Sequence, residues 1–529
     1  MNRDDTKTSS SGVSAADTAA ATPSTSPSSA PSQSPERTSL QTVEEKELRN
    51  TQAASPLADL YTENVAAKIW RVAETFLKQD PKLQAYPEFI IPQGVTAGTY
   101  LGKPATFWTC GFFPASLYCL LERAVRFPQS LPVHAVPASA FHDQLLQLCR
   151  RWSAPLHAQA TRTNTHDLGF IMRALRMDWE LTGDVASLQS YVTAAESLAS
   201  RFNARVGAVR SWDRSVSHTY EITDTATNFL IIVDSMCNMD LLYFAAKQSQ
   251  NPALAAIATS HARTVLRTLV RRDGSTWHVA NLNPNPPADA NNSKEDDDRL
   301  VQYRMTHQGY ADDSTWARGQ AWTILGFAQT YGWTGDAGFL RATRRVADCF
   351  LRRLSASPAP SHPYVPVWDF DASFGLGEGK GGAADPTQVD SEGQPLRDAS
   401  AGMIAANGLL LLHQALLGRK CMEVYESTTT NIDSTEDYDG HTYLHAALRI
   451  ARDTLGYALD RSDVAHFVLD EVTGRVHVPR GTWDAILRHS TANNNAHALL
   501  RYSDVGLVYA DYYFLELGNQ LLRMGLVSV

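Results

Sequence analysis

Gln308, Asp312, Asp313, Trp316, Arg318, Gln320 and Trp322 crowd into THQGYADDSTWARGQAW at 306–322, a stretch that leads into an apolar helical pattern. An ordinary helix start needs far fewer bulky polar and aromatic groups. An arginine fork beside two indole faces can hold a carboxylated sugar, with paired N–H donors for the carboxylate and flat apolar faces for the pyranose ring. A plainer reading competes with this one: Asp312 or Asp313 caps the helix, Arg318 pairs with an internal acid, and both tryptophans fill the core.

Two further carboxylates stand where chemistry is possible. His166 and Asp167, in THDLGF at 165–170, lie at the mouth of an apolar helical run, where an aspartate taken alone reads first as an N-cap. Asp234 lies inside NFLIIVDSMCNMDLLYFAA, which reads as one helix. Leu230, Ile231, Cys237 and Asn238 are its neighbours at three and four residues, so it sits on or beside an apolar face. An ionised carboxylate there is costly unless paired, and desolvation raises its pKa, which makes it a usable proton donor. A buried aspartate tied to a structural partner is the alternative.

Other chemistries find no support. The 16 histidines include no HExxH motif and no metal-spaced cluster. FGLGEGKGG at 374–382 lacks the preceding strand and the GK[ST] ending of a phosphate loop. A net charge of -9, from 47 basic and 56 acidic residues, offers no basic field for nucleic acid. No apolar run is long enough to cross a membrane, and MNRDDTKTSSSG lacks a signal-peptide layout, so a soluble, cytoplasmic protein is expected. The six cysteines are scattered without CxxC spacing, which suits buried thiols in a reducing compartment.

These residues need a scaffold, and the 529-residue chain supplies one with 43% apolar content. Residues 1–55 are Ser, Thr, Ala and Pro in alternation and read as a disordered tail, with the folded part, 56–529, as a single catalytic domain. From there apolar residues recur at helical spacing in segment after segment, roughly ten to twelve helices in all. STWHVA at 275–280 and HPYVPVWDF at 362–370 are the best strand patterns. Three helix pairs meet at short polar turns, at 181–184, 249–252 and 333–336, where Gly or Asn closes one helix and Asp or Pro opens the next. The class is therefore all-α, built from about six helical hairpins. An open solenoid or a closed toroid would satisfy this pattern. The polar insertions at 281–304, 374–396 and 421–440 favour the toroid, whose loops gather at one end.

The combination of WTCGFFP at 108–114, HDLGF at 166–170, VDSMCNMDLL at 233–242, HQGYADDSTWARGQAW at 307–322 and YADYYFLE at 509–516 resembles the unsaturated glucuronyl hydrolases, glycoside hydrolase family 88. WDFDA at 368–372 and RDASAG at 397–402 also fit. The resemblance implies an (α/α)6 barrel that needs neither metal nor cofactor. It implies hydration of the C4=C5 enol ether of a 4,5-unsaturated uronic acid, left by a polysaccharide lyase at the non-reducing end of an oligosaccharide, with release of the aglycone. By the same resemblance Asp234 is the general acid and base and Asp167 the second essential carboxylate. Trp108, Phe112, His166, His278, Gln308, Arg318 and Trp322 are then sugar-binding positions. Trp212 also fits, although its spacing to Asp234 is expanded here. Gly111-Phe112-Phe113 stands where the family reads GFW. The sister unsaturated rhamnogalacturonyl hydrolases share fold and chemistry. A sugar 2-epimerase on this barrel would want a central histidine pair, and a non-catalytic helical scaffold would leave the clustered Asp, Arg and Trp unexplained.

Overall fold

Thirteen α-helices run through the described residues, 57–286, 300–374, 385–427 and 440–527 of a computed structural model. They are α1 (Glu63–Gln79), α2 (Phe112–Arg126), α3 (Ala138–Ser153), α4 (Leu168–Ile171), α5 (Arg173–Thr182), α6 (Val185–Ala199), α7 (Ser235–Ser249), α8 (Pro252–Thr268), α9 (Ala317–Thr334), α10 (Ala337–Ser355), α11 (Ala399–Ser427), α12 (His441–Tyr457) and α13 (Val508–Arg523). The expected disordered tail at 1–55 lies outside the described residues, as do 287–299, 375–384 and 428–439, which make up much of the three expected insertions.

The turns behave as their residues require. Gly183 and Gly335 take left-handed conformations, φ 74° and 65°, at the ends of α5 and α9. The next residue then caps the returning helix: Asp184 accepts the Ser187 N–H at 2.7 Å and Asp336 the Gly338 N–H at 2.8 Å. Between α7 and α8 the left-handed residue is Gln250, φ 54°, and Asn251 caps with Pro252 as the first helical residue.

Inner helices α2, α4 with α5, α7, α9, α11 and α13 each pack on the next, and α13 packs back on α2. The ring is closed, so the toroid holds and the solenoid does not. Outer helices α3, α6, α8, α10 and α12 lie against their hairpin partners, with α1 beside α2. Close crossings hold the inner ring tight. A Cβ on Gly326 of α9 would lie 2.5 Å from Met236 of α7, and one on Gly408 of α11 would lie 2.8 Å from the Leu325 backbone of α9. Part of α11, Ala399–Arg419, is long and apolar enough to cross a bilayer, but most of it is buried inside the ring.

Two readings of the sequence need correction. The run at 228–246 is not one helix: Phe229–Ile232 is a strand, Val233 and Asp234 form the corner, and α7 follows. This strand pairs antiparallel with Val279–Leu282, which pairs with Val301–Met305, and the FLII side chains are buried on both faces of that sheet. A short apolar run buried on both sides has no period to reveal it as a strand. Likewise the apolar helical run that follows Asp167 breaks at Met172 into α4 and α5. Of the strand patterns, 275–280 contributes only its end to Val279–Leu282. The stretch 362–370 is irregular, held by isolated bridges from Val367 to Arg397 and from Asp369 to Trp316.

Candidate active site

Asp167 immediately precedes α4 and Asp234 immediately precedes α7, so two neighbouring inner helices begin at carboxylates. Neither side chain accepts a capping hydrogen bond from its own helix. The capping explanation for Asp167 therefore falls. The corner at Val233 is fixed by its N–H, which donates to the His278 carbonyl at 3.0 Å as the sheet ends. Ser235, the first residue of α7, donates its hydroxyl to the Ile232 carbonyl at 2.5 Å and lies 2.8 Å from His261 Nε2. His261 Nδ1 accepts the Val209 N–H at 3.0 Å, and burial lowers its pKa to about 3. Its proton therefore sits on Nε2 and is donated to Ser235.

His166 joins the two carboxylates. Its Nε2 lies 3.0 Å from Asp234 Oδ1 and 3.3 Å from Asp167 Oδ1, and its Nδ1 donates to the Ser211 carbonyl at 3.2 Å. Both ring nitrogens face acceptors, an arrangement suited to the imidazolium. Burial opposes that charge, but Asp167 and Asp234 outweigh it and hold the His166 pKa above its ordinary value. The stabilisation this gives is complete below the unfolded-state pKa and is lost as pH rises through the folded one. Asp167 is raised, by burial first and by Asp234 as well, against the opposing His166 charge. Its other oxygen accepts the Thr165 hydroxyl at 2.6 Å. Both aspartates remain 9% exposed, enough for the cluster to be reached from outside.

A second polar group borders the first. His278 Nδ1 accepts from the Thr306 hydroxyl at 2.8 Å and from the His307 N–H at 3.3 Å, which puts its proton on Nε2, with Gln308 as its side-chain neighbour. Burial, then the His307 and Arg318 charges, hold His278 far below its usual pKa, so it is a neutral donor. Burial likewise lowers His307 to about 4. Trp212 lies beside His166, with ring centroids 6.1 Å apart, and stands edge-on to His307 at 5.3 Å. Trp108 leads into an aromatic column: it packs on Tyr509 and Phe170, Phe170 on Trp322, and Trp322 on Tyr513.

No family model matches the chain. It is 27% identical over 418 residues to an unsaturated glucuronyl hydrolase of Formosa agariphila, covering 78% of this chain and 79% of that one. It is 26% identical over 413 residues to an unsaturated chondroitin disaccharide hydrolase of Streptococcus pneumoniae, covering 78% and 81%. The crystal structure of an unsaturated glucuronyl hydrolase specific for heparin superposes with a TM-score of 0.60 at 25% identity, over 89% of this chain and 98% of the other. The chain is a relative of the unsaturated glucuronyl hydrolases.

Of the residues that the likeness to unsaturated glucuronyl hydrolases singled out, Asp167, His166 and Asp234 meet directly, and His278 and Gln308 border them. Trp108 is half-buried, whereas Phe112 and Trp322 are buried behind it and support the aromatic column from inside the ring. His166 gives both nitrogens to the protein and bridges the two carboxylates within the cluster. Arg318 needs correction. It is 0% exposed, and its guanidinium donates to Asp398 at 2.5 Å and to the Thr491 and Ala492 carbonyls at 2.6 and 2.5 Å. The fork expected for a uronate is a clamp on the 491–492 loop, as in the plainer reading of 306–322. Asp312 and Asp313 do not cap α9, where Trp316 takes the N-cap position. Sequence reasoning passed over Thr165, Ser211, Thr306 and His307, whose roles depend on partners brought by the fold.

Proposed function

We propose that this protein removes a 4,5-unsaturated glucuronyl residue from the non-reducing end of an oligosaccharide by hydrating its C4=C5 enol ether. The observation that carries the reading is the Asp167, His166 and Asp234 cluster, two carboxylates and a bridging imidazole at the mouths of adjacent inner helices. The relatives bear the names unsaturated glucuronyl hydrolase and unsaturated chondroitin disaccharide hydrolase, and one related structure holds dGlcA-GalNAc6S. The proposed substrate class is accordingly an unsaturated uronic acid linked to a further sugar.

In the proposed mechanism Asp234 delivers the cluster's proton to C4, and positive character develops at C5 and the ring oxygen. Water adds to C5 and loses a proton to the Asp234 carboxylate. The resulting hemiketal opens by breaking the bond from C5 to the ring oxygen, and the hemiacetal left at C1 expels the aglycone. Asp234 suits the donor's part because its described partner is the proton-bearing His166. Asp167, fixed by Thr165 and His166, suits orientation of the sugar hydroxyls. Trp108 and Trp212 offer ring faces to the pyranose, and His278 Nε2–H with the Gln308 amide offers donors to the uronate. Buried thiols at Cys110, Cys119, Cys149, Cys237 and Cys349 support a place in the reducing cytoplasm. Hydration destroys the conjugated chromophore, so loss of ultraviolet absorbance on unsaturated chondroitin, hyaluronan or heparin disaccharides tests the reading. An intact chromophore on every one of them would overturn it.

A further inference from the structure

The chain between Trp212 and Asp234 forms a small hairpin, Ser215–Val216 paired with Glu221–Ile222, before it enters the strand at Phe229–Ile232. The hairpin covers one end of the three-stranded sheet. Ile222, Leu230, Ile232, Val279 and Met305 form an apolar cluster there, with Trp212 and Tyr220 packed against it. Its base is tied to the site, since Ser215 Oγ pairs with His307 Nε2. At its tip Tyr220 lies nearly parallel to Tyr303, with 6.1 Å between centroids and 10° between planes, and Tyr303 is 38% exposed. The Tyr220 hydroxyl donates to Asp312 Oδ2 at 2.5 Å, and Asp312 Oδ1 accepts the N–H of Thr306, the residue that holds His278. Trp212, beside His166 and His307, and Tyr220 thus rest on the same apolar cluster, with the exposed Tyr303 stacked on Tyr220.

We infer that Tyr220 and Tyr303 form a distal carbohydrate subsite that stacks a sugar ring on the aglycone side, beyond the first residue after the unsaturated uronate. The exposed Tyr303 ring, backed by the near-parallel Tyr220 ring, presents an apolar face of the kind pyranose C–H groups pack on. The inference rests on the proposed hydration activity, and one experiment separates the two. Specificity constants are measured for an unsaturated disaccharide and an unsaturated tetrasaccharide of the same polymer, and their ratio is compared between proteins. In Tyr220→Ala and in Tyr303→Ala the tetrasaccharide-to-disaccharide ratio falls by roughly threefold to tenfold, the range of one aromatic stacking contact. Tyr220→Phe keeps the ring, loses the Asp312 bond, and retains the wild-type ratio. An unchanged ratio in both alanine variants would overturn the subsite, as would a fall in Tyr220→Phe equal to that in Tyr220→Ala. Failure of the wild type on both substrates would instead overturn the assignment of the active site on which the subsite depends.

Discussion

A carboxylate at the mouth of a helix ordinarily accepts that helix's first amide protons, and neither Asp167 nor Asp234 does so. Their oxygens turn to His166 and Thr165 instead, which leaves the pair as chemistry and not as caps. Replacing Asp234 by Asn keeps the shape and removes the transferable proton. Turnover should fall by a general acid–base factor of about 100 to 10,000 while the fold is retained, and a variant keeping more than about a tenth of wild-type kcat would refute the role. His166 sets where the cluster loses its proton. With its pKa raised, the alkaline limb of the kcat/KM profile should lie above the ordinary histidine value of about 6.5. In His166→Gln the carboxyl pair alone carries the proton and the limb should move to lower pH; a limb that stays put would show that the bridge does not govern the proton. Asp234 stood out in the sequence as a carboxylate in apolar surroundings, whereas Asp167 read first as an N-cap and was singled out only by the family resemblance. The bridge was not legible, because nothing in the spacing of His166 and Asp234 says that they touch.

At the scale of elements, local chemistry was readable and long-range pairing was not. Gly183, Asp184, Gly335 and Asp336 fix their turns through neighbours two or three residues away, and the sequence shows those neighbours. The strand Phe229–Ile232 depends on partners around 279–282, so the run into α7 looked helical throughout. Arg318 is the clearest case. Its place at the start of α9 suggested a ligand fork, but Asp398 and the carbonyls of 491–492 arrive from elsewhere in the barrel and take it up. Arg318→Met should therefore destabilise the protein by about 3–5 kcal/mol, because Asp398 is left buried without its cation. Urea unfolding measures this, and a variant of unchanged stability with a raised KM would restore Arg318 to direct uronate binding.

The helices of the described residues close into a ring, and its two ends must be fastened. Arg123 of α2 donates to Asn519 of α13 at 2.7 Å and to the Leu515 carbonyl at 3.2 Å, while Arg523 pairs with Glu122 at 2.5 Å. Lys68 of α1 pairs with Asp460 at 2.6 Å and also donates to the Trp483 carbonyl, joining the first helix to the last loops. Asp511, raised by burial to about 7, accepts the Ile486 and Leu487 N–H groups and the Tyr100 hydroxyl. Arg123→Met leaves its acceptors unpaired in the interior and should cost about 2–3 kcal/mol, read as a lower thermal midpoint. An unchanged midpoint would show that ring closure does not depend on it. The repeated hairpins left solenoid and toroid open and the polar insertions favoured the toroid, whereas bolts such as Arg123 to Asn519 and Lys68 to Asp460 link residues hundreds of positions apart and left no local mark.

The point at which water enters the substrate separates hydration of C4=C5 from direct displacement at C1. An unsaturated disaccharide turned over in oxygen-18 water and quenched promptly should carry the label on the C5 keto oxygen of the opened product, and a saturated glucuronide with the same aglycone should remain intact because it has no C4=C5 bond to protonate. Label at C1 with none at C5, or cleavage of the saturated glucuronide at a comparable rate, would mean that direct displacement operates and that the role given to Asp234 is mistaken.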